Sequence, residues 1–338
     1  MVRIIYRNEV RQLRTVRWTS LVALILGITL LFGTLASAQV RQLSVVTGGT
    51  GGVYYVLGGG LAELLTRRVP NVNAVAEVTS ASVDNLFLVD AGEADIAFTL
   101  ADTAYLAVRG EGPFAGSGPL NIRTLVAIYP NFNHLVTTAG SGINSVLDLR
   151  GKRVSTGSPG SGTEVTALRI LRAYGLDPDR DIRRELLGAA ESADALRDGR
   201  IDAFFWSGGY PTGAVSDIAN SPRFDIHIVP MGDVVPKLLE EYGPFYSVAV
   251  FRAGYYAGDV KVDTPTVGVP NLLMVNADMD EELAYQIVKA IFEYKHELEL
   301  VHPAAEQFSL ETAATSLVAE YHPGAIRYYK EMGVWPHD

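Results

Sequence analysis

The stretch that decides the fold is Ser44–Leu65, SVVTGGTGGVYYVLGGGLAELL, in which a short apolar run gives way to a Gly/Thr-rich turn and then to a predicted helix. A turn that opens a helix presents N–H groups without intrahelical acceptors at the positive end of the helix dipole. Such groups suit a carboxylate or a phosphate. The stretch therefore predicts a strand, a turn and a helix that together bind a small anion.

The same order recurs later in the chain. Residues Lys152–Leu171, KRVSTGSPGSGTEVTALRIL, again give a short apolar run, a Gly/Ser/Thr turn and an amphipathic segment. Ser161 or Thr163 is placed to cap this second helix, and Tyr174–Pro178 supplies a glycine stop followed by proline. Two such openings predict two lobes, each with a ligand-binding turn.

An internal repeat extends beyond the two turns. Each is followed by a strand, by a helix that we expect serine to cap, and by a Gly-x-x-Asp-x-x-Phe motif that leads into another strand. The paired segments are Val72–Val78 with Ile182–Leu187, Ser80–Leu86 with Ala190–Leu196, and Gly92–Phe98 with Gly199–Phe205. Each copy is predicted to be a β-α-β-α-β unit whose helices start at the carboxyl edge of parallel strands, where ligands bind.

The segments outside the repeats predict two crossings between the lobes. Leu125–Thr138 indicates one strand that leaves the first lobe and another that enters the second, with an interruption at Pro130-Asn131. The return lies either at Phe245–Phe251 or at Thr266–Val275. Apolar residues at helical spacing then predict a long helix that packs back on the first lobe: Leu283, Ile287, Ile291 and Leu298.

Three successive glycines, Gly58 to Gly60, fall within the first predicted helix. Glycine in a helix interior costs about 1 kcal/mol relative to alanine. The run indicates either a close approach to the helix backbone or a break in the helix, and the sequence leaves both open.

The first 38 residues resemble an export signal. A basic segment precedes the apolar run Leu21–Leu35, and the small residues Ala36–Ala38 form a cleavage site before Gln39. About fifteen apolar residues fall short of the roughly 20 that span a bilayer, which favours a cleaved signal over a retained anchor. Because the chain contains no cysteine, acylation and disulfides are excluded, and we expect a soluble periplasmic protein.

Charge and length restrict the partners and the organisation. The net charge is −10, and residues 1–38 carry five arginines and one glutamate, a net +4, so the remaining chain carries −14. Such a body disfavours nucleic acid and anionic membranes, whereas a small anion still binds by local contacts, since net charge is screened beyond about 10 Å. We expect a discontinuous first lobe, residues 39–130 plus 250–338, and a second lobe, residues 131–249.

Five sequence words in order resemble the TAXI family of solute-binding proteins: TGGTGGVYYVLGGGLAELL, GEADIAF, LRGKRVSTGSPGSGTE, TVGVPNLLMV and HPGAIRYYKEMGVW. The similarity covers nearly all of residues 42–336. It implies an α/β, two-lobe periplasmic binding protein-like type II fold, each lobe a mainly parallel sheet flanked by helices, with a two-strand hinge. It also implies capture of a small organic acid or acidic amino acid, of the glutamate or 2-oxoglutarate type, for a TRAP-type membrane permease.

The candidate ligand-binding residues of the first lobe belong to its turn and to the next helix start. The glycines and threonines of the turn exceed what a plain tight turn requires, whereas the serines and the asparagine of the helix start serve either a ligand or simple capping. The tyrosine offers a flat wall and a phenol donor. The candidates are Thr50, Gly51, Gly52, Tyr54, Ser80, Ser82 and Asn85.

The second lobe offers a matching set. A nucleotide-binding phosphate loop is excluded because no lysine follows the last glycine of the turn, whereas small-anion binding through hydroxyl and N–H groups remains. The tryptophan after the last repeat strand is expected to stack on the ligand. Tyr129 and His134, beside the first crossing, either touch the ligand or serve the hinge. The candidates are Ser158, Gly160, Ser161, Gly162, Thr163, Trp206 and Ser207.

Binding without catalysis is the function that these residues favour. Arg109, Arg123 and Arg153 all lie outside the glycine turns, so we expect neutral donors and helix dipoles, each worth up to about 2 kcal/mol, to hold the anion. The chain lacks a Gly-x-Ser-x-Gly elbow, a zinc-binding helix motif and thiols. We expect a monomer without cofactor or metal. The alternatives are a binding component of an ATP-driven importer or a sensor, and a periplasmic lyase on the same fold.

Overall fold

The computed structural model describes residues 40–222, 224–256, 262–315 and 318–336, so the predicted signal segment, residues 1–38, lies outside the described residues. From Arg41 onward the chain belongs to one compact unit. Among the described helices, none has the length and apolar character that crossing a membrane requires.

The chain alternates strands and helices. The strands are β1 (Arg41–Val46), β2 (Val72–Glu77), β3 (Ile96–Leu100), β4 (Ile122–Thr138), β5 (Arg153–Ser155), β6 (Arg183–Glu185), β7 (Ala203–Gly208), β8 (Ile226–Ile228), β9 (Ser247–Phe251) and β10 (Thr264–Asn276). The α-helices are α1 (Val53–Arg68), α2 (Ser82–Asp90), α3 (Ala101–Arg109), α4 (Gly162–Ala173), α5 (Ala189–Arg197), α6 (Gly213–Ala219), α7 (Val235–Tyr242), α8 (Glu281–Glu293), α9 (Lys295–Val301), α10 (Leu310–Ala313) and α11 (Pro323–Glu331). Short 3₁₀ helices lie at Gly112–Phe114, Val146–Leu149, Gly232–Val234 and Pro303–Gln307.

One sheet runs through the molecule in the order β2-β1-β3-β10-β4-β7-β5-β6. At one end β1 pairs in parallel with β2 and β3, and at the other end β5 pairs in parallel with β6 and β7. The two copies of the repeat thus form two parallel half-sheets with the same strand order. The predicted β-α-β-α-β units and the predicted fold class are confirmed.

The long strands β4 and β10 join the half-sheets. They pair antiparallel with each other, while β10 also pairs with β3 and β4 also pairs with β7. The predicted interruption at Pro130-Asn131 is wrong, because β4 continues through it. Pro130 lies opposite Pro270 in the ladder, so the two residues that lack an N–H group fall at a single pair.

The C-terminal helices pack back on the first half-sheet. Leu283, Ile287, Ile291 and Leu298 are buried in one core with residues of β1 and α1. This burial confirms the predicted apolar face. The prediction of one long helix is wrong, since the chain breaks at Tyr294 into α8 and α9.

Helix starts follow the sequence prediction only in part. Ser161 caps α4, because its side chain accepts a hydrogen bond from the Glu164 N–H group at 3.1 Å. The prediction of serine caps on the second helix of each repeat is wrong. Ala81 precedes α2 and Gly188 precedes α5, and neither helix has a side-chain cap.

The triple glycine of α1 marks close packing, since the helix runs unbroken from Val53 to Arg68. A Cβ atom on Gly58 would overlap the methyl group of Thr47, and one on Gly60 would lie 2.8 Å from a methyl group of Val301. A Cβ atom on Gly59 would meet nothing within 4 Å, because this position faces open space. Two of the three glycines therefore let neighbouring segments approach the helix.

The Gly58→Ala substitution should lower the free energy of unfolding by about 1–3 kcal/mol, because overpacking forces neighbours to shift. Thr47 cannot move freely, since its hydroxyl donates to the Glu77 carbonyl at 2.7 Å. In the matched control, Gly59→Ala should leave stability unchanged or raise it by about 0.5–1 kcal/mol. Urea unfolding measures both, and equal effects of the two substitutions would contradict the packing assignment.

Candidate functional site

A cavity of about 280 Å³ lies where the parallel strands of both half-sheets reach their carboxyl ends. We call it the cleft cavity. Its walls come from the β1–α1 and β2–α2 turns in the first copy of the repeat, and from the turns before α4 and α5 and the end of β7 in the second. The structure brings these sequence-predicted residues to its wall: Gly52, Tyr54, Ser80, Ser82, Ser158, Ser161, Gly162, Thr163, Trp206 and Ser207.

The remaining four predicted residues do not line the cleft cavity. Thr50 and Gly51 border a smaller neighbouring cavity of about 190 Å³. Asn85 is buried, and its amide donates to the carbonyls of Thr47 and Phe98 at 2.7 and 2.8 Å. This asparagine ties α2 to the strand ends. Gly160 occupies the tip of the β5–α4 turn with a φ of +76°.

Several helices begin at the wall of the cleft cavity. Val53, Ser82, Gly162 and Ala189 are the first residues of α1, α2, α4 and α5, and all four line it. The first N–H groups of a helix have no intrahelical acceptor and carry partial positive charge. Among the described lining residues there is no lysine, arginine or histidine. Partial positive charge at the cavity wall therefore comes from backbone N–H groups and not from cationic side chains of the described residues.

The start of α2, and that of α6 outside the cleft cavity, already donate to carbonyl groups from the opposite half-sheet. The Val83 N–H group of α2 donates to the Gly160 carbonyl at 3.0 Å, and the Ala214 N–H group of α6 donates to the Gly51 carbonyl at 3.2 Å. Gly51 was expected to offer an N–H group to the ligand, but its carbonyl holds the two halves together. We call these two contacts the glycine seam.

A chain of hydrogen bonds fixes the floor of the cavity. The Tyr54 hydroxyl donates to Asn271 Oδ1, Asn271 Nδ2 donates to Asn131 Oδ1 at 2.7 Å, and Asn131 Nδ2 donates to Ser207 Oγ at 3.3 Å. The chain passes from α1 across both long strands to β7. It therefore couples the predicted residues of the two halves through the strands that join them.

Tyr129 carries an unsatisfied polar atom at this site. Its side chain is 2% exposed and lines the cleft cavity, and its hydroxyl has no hydrogen-bond partner among the described residues. Its ring edge faces Gly209, where a Cβ would come within 2.7 Å of Tyr129 Cε2. Burial raises the pKa of Tyr129, and burial followed by the nearby Tyr129 phenol raises the pKa of Tyr54. Both phenols are protonated donors, and only that of Tyr129 is free.

A larger, mainly apolar cavity of about 460 Å³ also borders Tyr129. None of the sequence-predicted ligand-binding residues is among its described lining residues. The residues that the sequence predicted to bind a solute are thus found at the cleft cavity and not at this larger one.

Trp206 forms a wall of the cleft cavity, as predicted, while His134 stays behind it. The Trp206 Nε1–H group donates to Thr212 Oγ1 at 3.1 Å, and its ring lies against Gly52, where a Cβ would approach it to 3.0 Å. His134 is bonded to the Trp206 carbonyl and the Tyr256 hydroxyl at 3.1 and 3.0 Å. Burial lowers the pKa of His134 to about 4, so this neutral histidine supports the wall.

A buried ion pair connects the two halves beside the cavity. Asp102 of α3 accepts hydrogen bonds from Thr166 of α4 at 3.0 Å, from Tyr246 at 2.8 Å and from Arg169 of α4 at 3.4 Å. Asp102 is fully buried and Arg169 is 7% exposed. Desolvation lowers the pKa of Arg169, but Asp102 and Tyr246 together raise that pKa by more, so the guanidinium stays charged.

Sequence reasoning missed several lining residues. Asn131 lies outside the repeated motifs, and no local pattern indicates it, whereas Gly209 ends the segment after the last repeat strand that the sequence already places at the carboxyl edge. Glu191 does lie within the repeat, where the alignment of Ser80–Leu86 with Ala190–Leu196 places it opposite Ala81. The change from alanine to glutamate between the two copies could have identified Glu191 as a candidate site residue.

The fold and its cleft place the chain in the class of two-lobe periplasmic binding protein-like structures. The chain belongs to the NMT1-like family, whose sequence profile matches residues 45–333. A solved structure from Bordetella bronchiseptica RB50 is similar, with 17% identity, coverage of 89% of this chain and 91% of that chain, and a TM-score of 0.52. This similarity concerns the fold.

Two sulfonate-binding proteins are also similar at low identity. The periplasmic aliphatic sulphonate binding protein SsuA from Escherichia coli has 17% identity and a TM-score of 0.48, with 86% of this chain and 83% of that chain covered. The alkanesulfonate-binding protein SsuA from Xanthomonas axonopodis pv. citri, bound to MOPS, has 16% identity and a TM-score of 0.49, with 88% and 92% covered. These similarities concern the fold, and the ligands of the two proteins are not attributed to this chain.

Tyr129→Phe should act in opposite directions on the empty protein and on binding. Removing a buried hydroxyl that has no partner should leave unfolding stability unchanged or raise it by about 1 kcal/mol, whereas loss of a donor to the solute should weaken binding. Tyr329→Phe is the control, because Tyr329 is equally buried and donates to the Leu125 carbonyl at 2.8 Å. It should lose about 1 kcal/mol of stability and bind normally.

Thermal unfolding of the empty proteins and titration calorimetry with a bound solute measure the two effects. If Tyr129→Phe destabilised the empty protein as Tyr329→Phe does, the hydroxyl would have an internal partner, and its assignment to the cavity would be wrong.

Proposed function

We propose that the protein is an extracytoplasmic solute-binding protein that captures a small organic acid or acidic amino acid, of the glutamate or 2-oxoglutarate type, in the cleft cavity. One observation carries the proposal. Several helix N-termini converge on a cavity that has no cationic side chain among its described lining residues and is also lined by Tyr129, whose buried hydroxyl is unpaired.

The dimensions and donors of the cavity support a small solute. A volume of about 280 Å³ lies at the lower end of the range for ligand pockets. Ser80 and Ser158 line it with hydroxyls that have no partner among the described residues. Together with helix ends worth up to about 2 kcal/mol each, these groups suit an anionic group held without an arginine.

The residues around the cavity support binding rather than catalysis. Three carboxylates that end a strand or open a helix near the repeat turns, Glu77, Asp102 and Glu164, do not line it. Asp102 is held in the buried ion pair, and Glu164 pairs with Arg184. A general acid or base must reach the reacting group. Glu191 is the one carboxylate among the described residues that line the cavity, and no described histidine or lysine lines it beside Glu191, which favours holding a solute over transforming it.

We further propose that the two predicted lobes, residues 39–130 plus 250–338 and residues 131–249, close around the solute. The glycine seam and the buried pair of Asp102 with Arg169 join them in the described conformation. The closed form would be presented to a TRAP-type membrane permease after export and removal of residues 1–38. A permease gene beside an ATPase gene would instead favour an ATP-driven importer.

A thermal-shift screen of residues 39–338 tests the ligand class. Dicarboxylates, 2-oxoacids and acidic amino acids should raise the unfolding midpoint, since a ligand at about 100 times its dissociation constant adds roughly 2.7 kcal/mol. The fluorescence of Trp206 should change with the same ligands, and Trp206→Phe should abolish that change while Trp335 remains. A response to sugars alone, with none to any carboxylate ligand, would refute the anion site.

Arg169→Ala tests closure. It leaves Asp102 without its ion-pair partner in the closed form, where removing one member of a buried pair costs about 3–5 kcal/mol, whereas an open cleft lets water reach the carboxylate. We expect ligand affinity to fall about tenfold or more, and small-angle scattering to show a larger radius at subsaturating ligand. Arg172→Ala, at an exposed position of the same helix, should match the wild type. An equal radius of the wild-type protein with and without saturating ligand would refute closure.

A further inference from the structure

We infer that the cleft cavity selects zwitterions, so that an α-amino acid binds in preference to the oxo acid of the same shape, with Glu191 as the acceptor for the amino group. This inference rests on the proposed function and narrows its ligand class. It starts from the charges that face the cavity.

Glu191 is the one carboxylate among the described residues that line the cleft cavity, and no described lysine, arginine or histidine lines it. Its carboxylate also has no ion pair and no hydrogen bond within the described part of the chain. Glu164, at the same position in the first turn of α4, is instead paired with Arg184 and bonded to the Gly160 N–H group at 3.2 Å. Glu191 is therefore available to a ligand.

The position of Glu191 keeps its carboxylate at the cavity wall. It lies in the first turn of α5, and its Oε2 atom sits over Gly188, where a Cβ would come within 2.5 Å of it. Gly188 and Ala189 line the cavity next to it. A carboxylate in the first helical turn also interacts favourably with the helix dipole. In a capping box such a side chain would accept a hydrogen bond from the N-cap N–H group, but Glu191 makes no such bond among the described residues.

Other parts of the cavity wall carry partial positive charge. The starts of α1, α2 and α4 present N–H groups at Val53, Ser82 and Gly162. Tyr129, whose buried hydroxyl has no partner in the described chain, also lines the cavity. A cavity lined both by helix-start N–H groups and by a carboxylate matches a ligand that carries both an anionic group and an ammonium group.

The repeat supports the assignment independently. The first copy has Ala81 at the position where the second has Glu191, and both residues line the cavity. Only one copy therefore brings a charge to this position. A simple oxo acid or dicarboxylate gains nothing from this carboxylate and meets a like charge.

Calorimetric titration of Glu191→Gln with matched ligand pairs tests the inference. The pairs are L-glutamate with 2-oxoglutarate, and L-alanine with pyruvate, because the members of each pair differ at the α-carbon alone. In the wild-type protein the amino acid should bind more tightly. In Glu191→Gln its affinity should fall about tenfold or more, while the affinity for the oxo acid should stay the same or rise.

Glu93→Gln is the matched control, since it makes the same charge change at an exposed glutamate outside the described cavity linings. It should bind as the wild type does. Wild-type preference for the oxo acids, or an equal loss of both ligands in Glu191→Gln, would overturn the inference and leave the proposed function intact. Failure of every acid in both pairs and in the thermal-shift screen would overturn both.

Discussion

Unpaired N–H groups at helix starts are the constraint on which the rest of this structure depends. Each parallel strand ends where a helix begins, so the fold gathers these groups at one edge and every one needs an acceptor. Ser161 satisfies one group within its own turn, and the carbonyls of Gly51 and Gly160 satisfy others from across the cleft. The remainder surround the cleft cavity. The candidate site is thus formed where helix-start N–H groups have no acceptor within the described part of the protein.

The sequence predicted the order of strands and helices in both repeats and the apolar face of the C-terminal helices, and it missed features that depend on contacts far along the chain. The turns around Gly52 and Gly162 could be predicted because local glycine and serine patterns place them at strand-to-helix junctions. The continuity of β4 through Pro130 could not be predicted in this way, because it depends on pairing with Pro270, which lies far along the chain. Asn131 and Tyr129 are likewise placed at the cavity by strand pairing, and no local pattern encodes such pairing.

The two copies of the repeat share a backbone plan but have divided their roles. Asn85 in the first copy is committed to carbonyls of the strand ends, so it stabilises the junction. Its counterpart in the second copy is Ala195, in the apolar core. Conversely, the second copy brings Glu191 and Trp206 to the cavity. Equivalent positions of the two copies therefore have different roles, one structural and the other at the cavity. For this reason a motif match alone does not assign a ligand contact.

The place of β10 in the sheet has a consequence for the order in which the chain folds. β10 is the last strand in the sequence, yet it lies at the centre of the sheet between β3 and β4. Those partners are more than a hundred residues away along the chain, so a large loop must close before the central ladder forms. During synthesis the first parallel half-sheet keeps β3 as an open edge until Thr264–Asn276 has emerged. The chain therefore completes its sheet only after nearly all of it has been made.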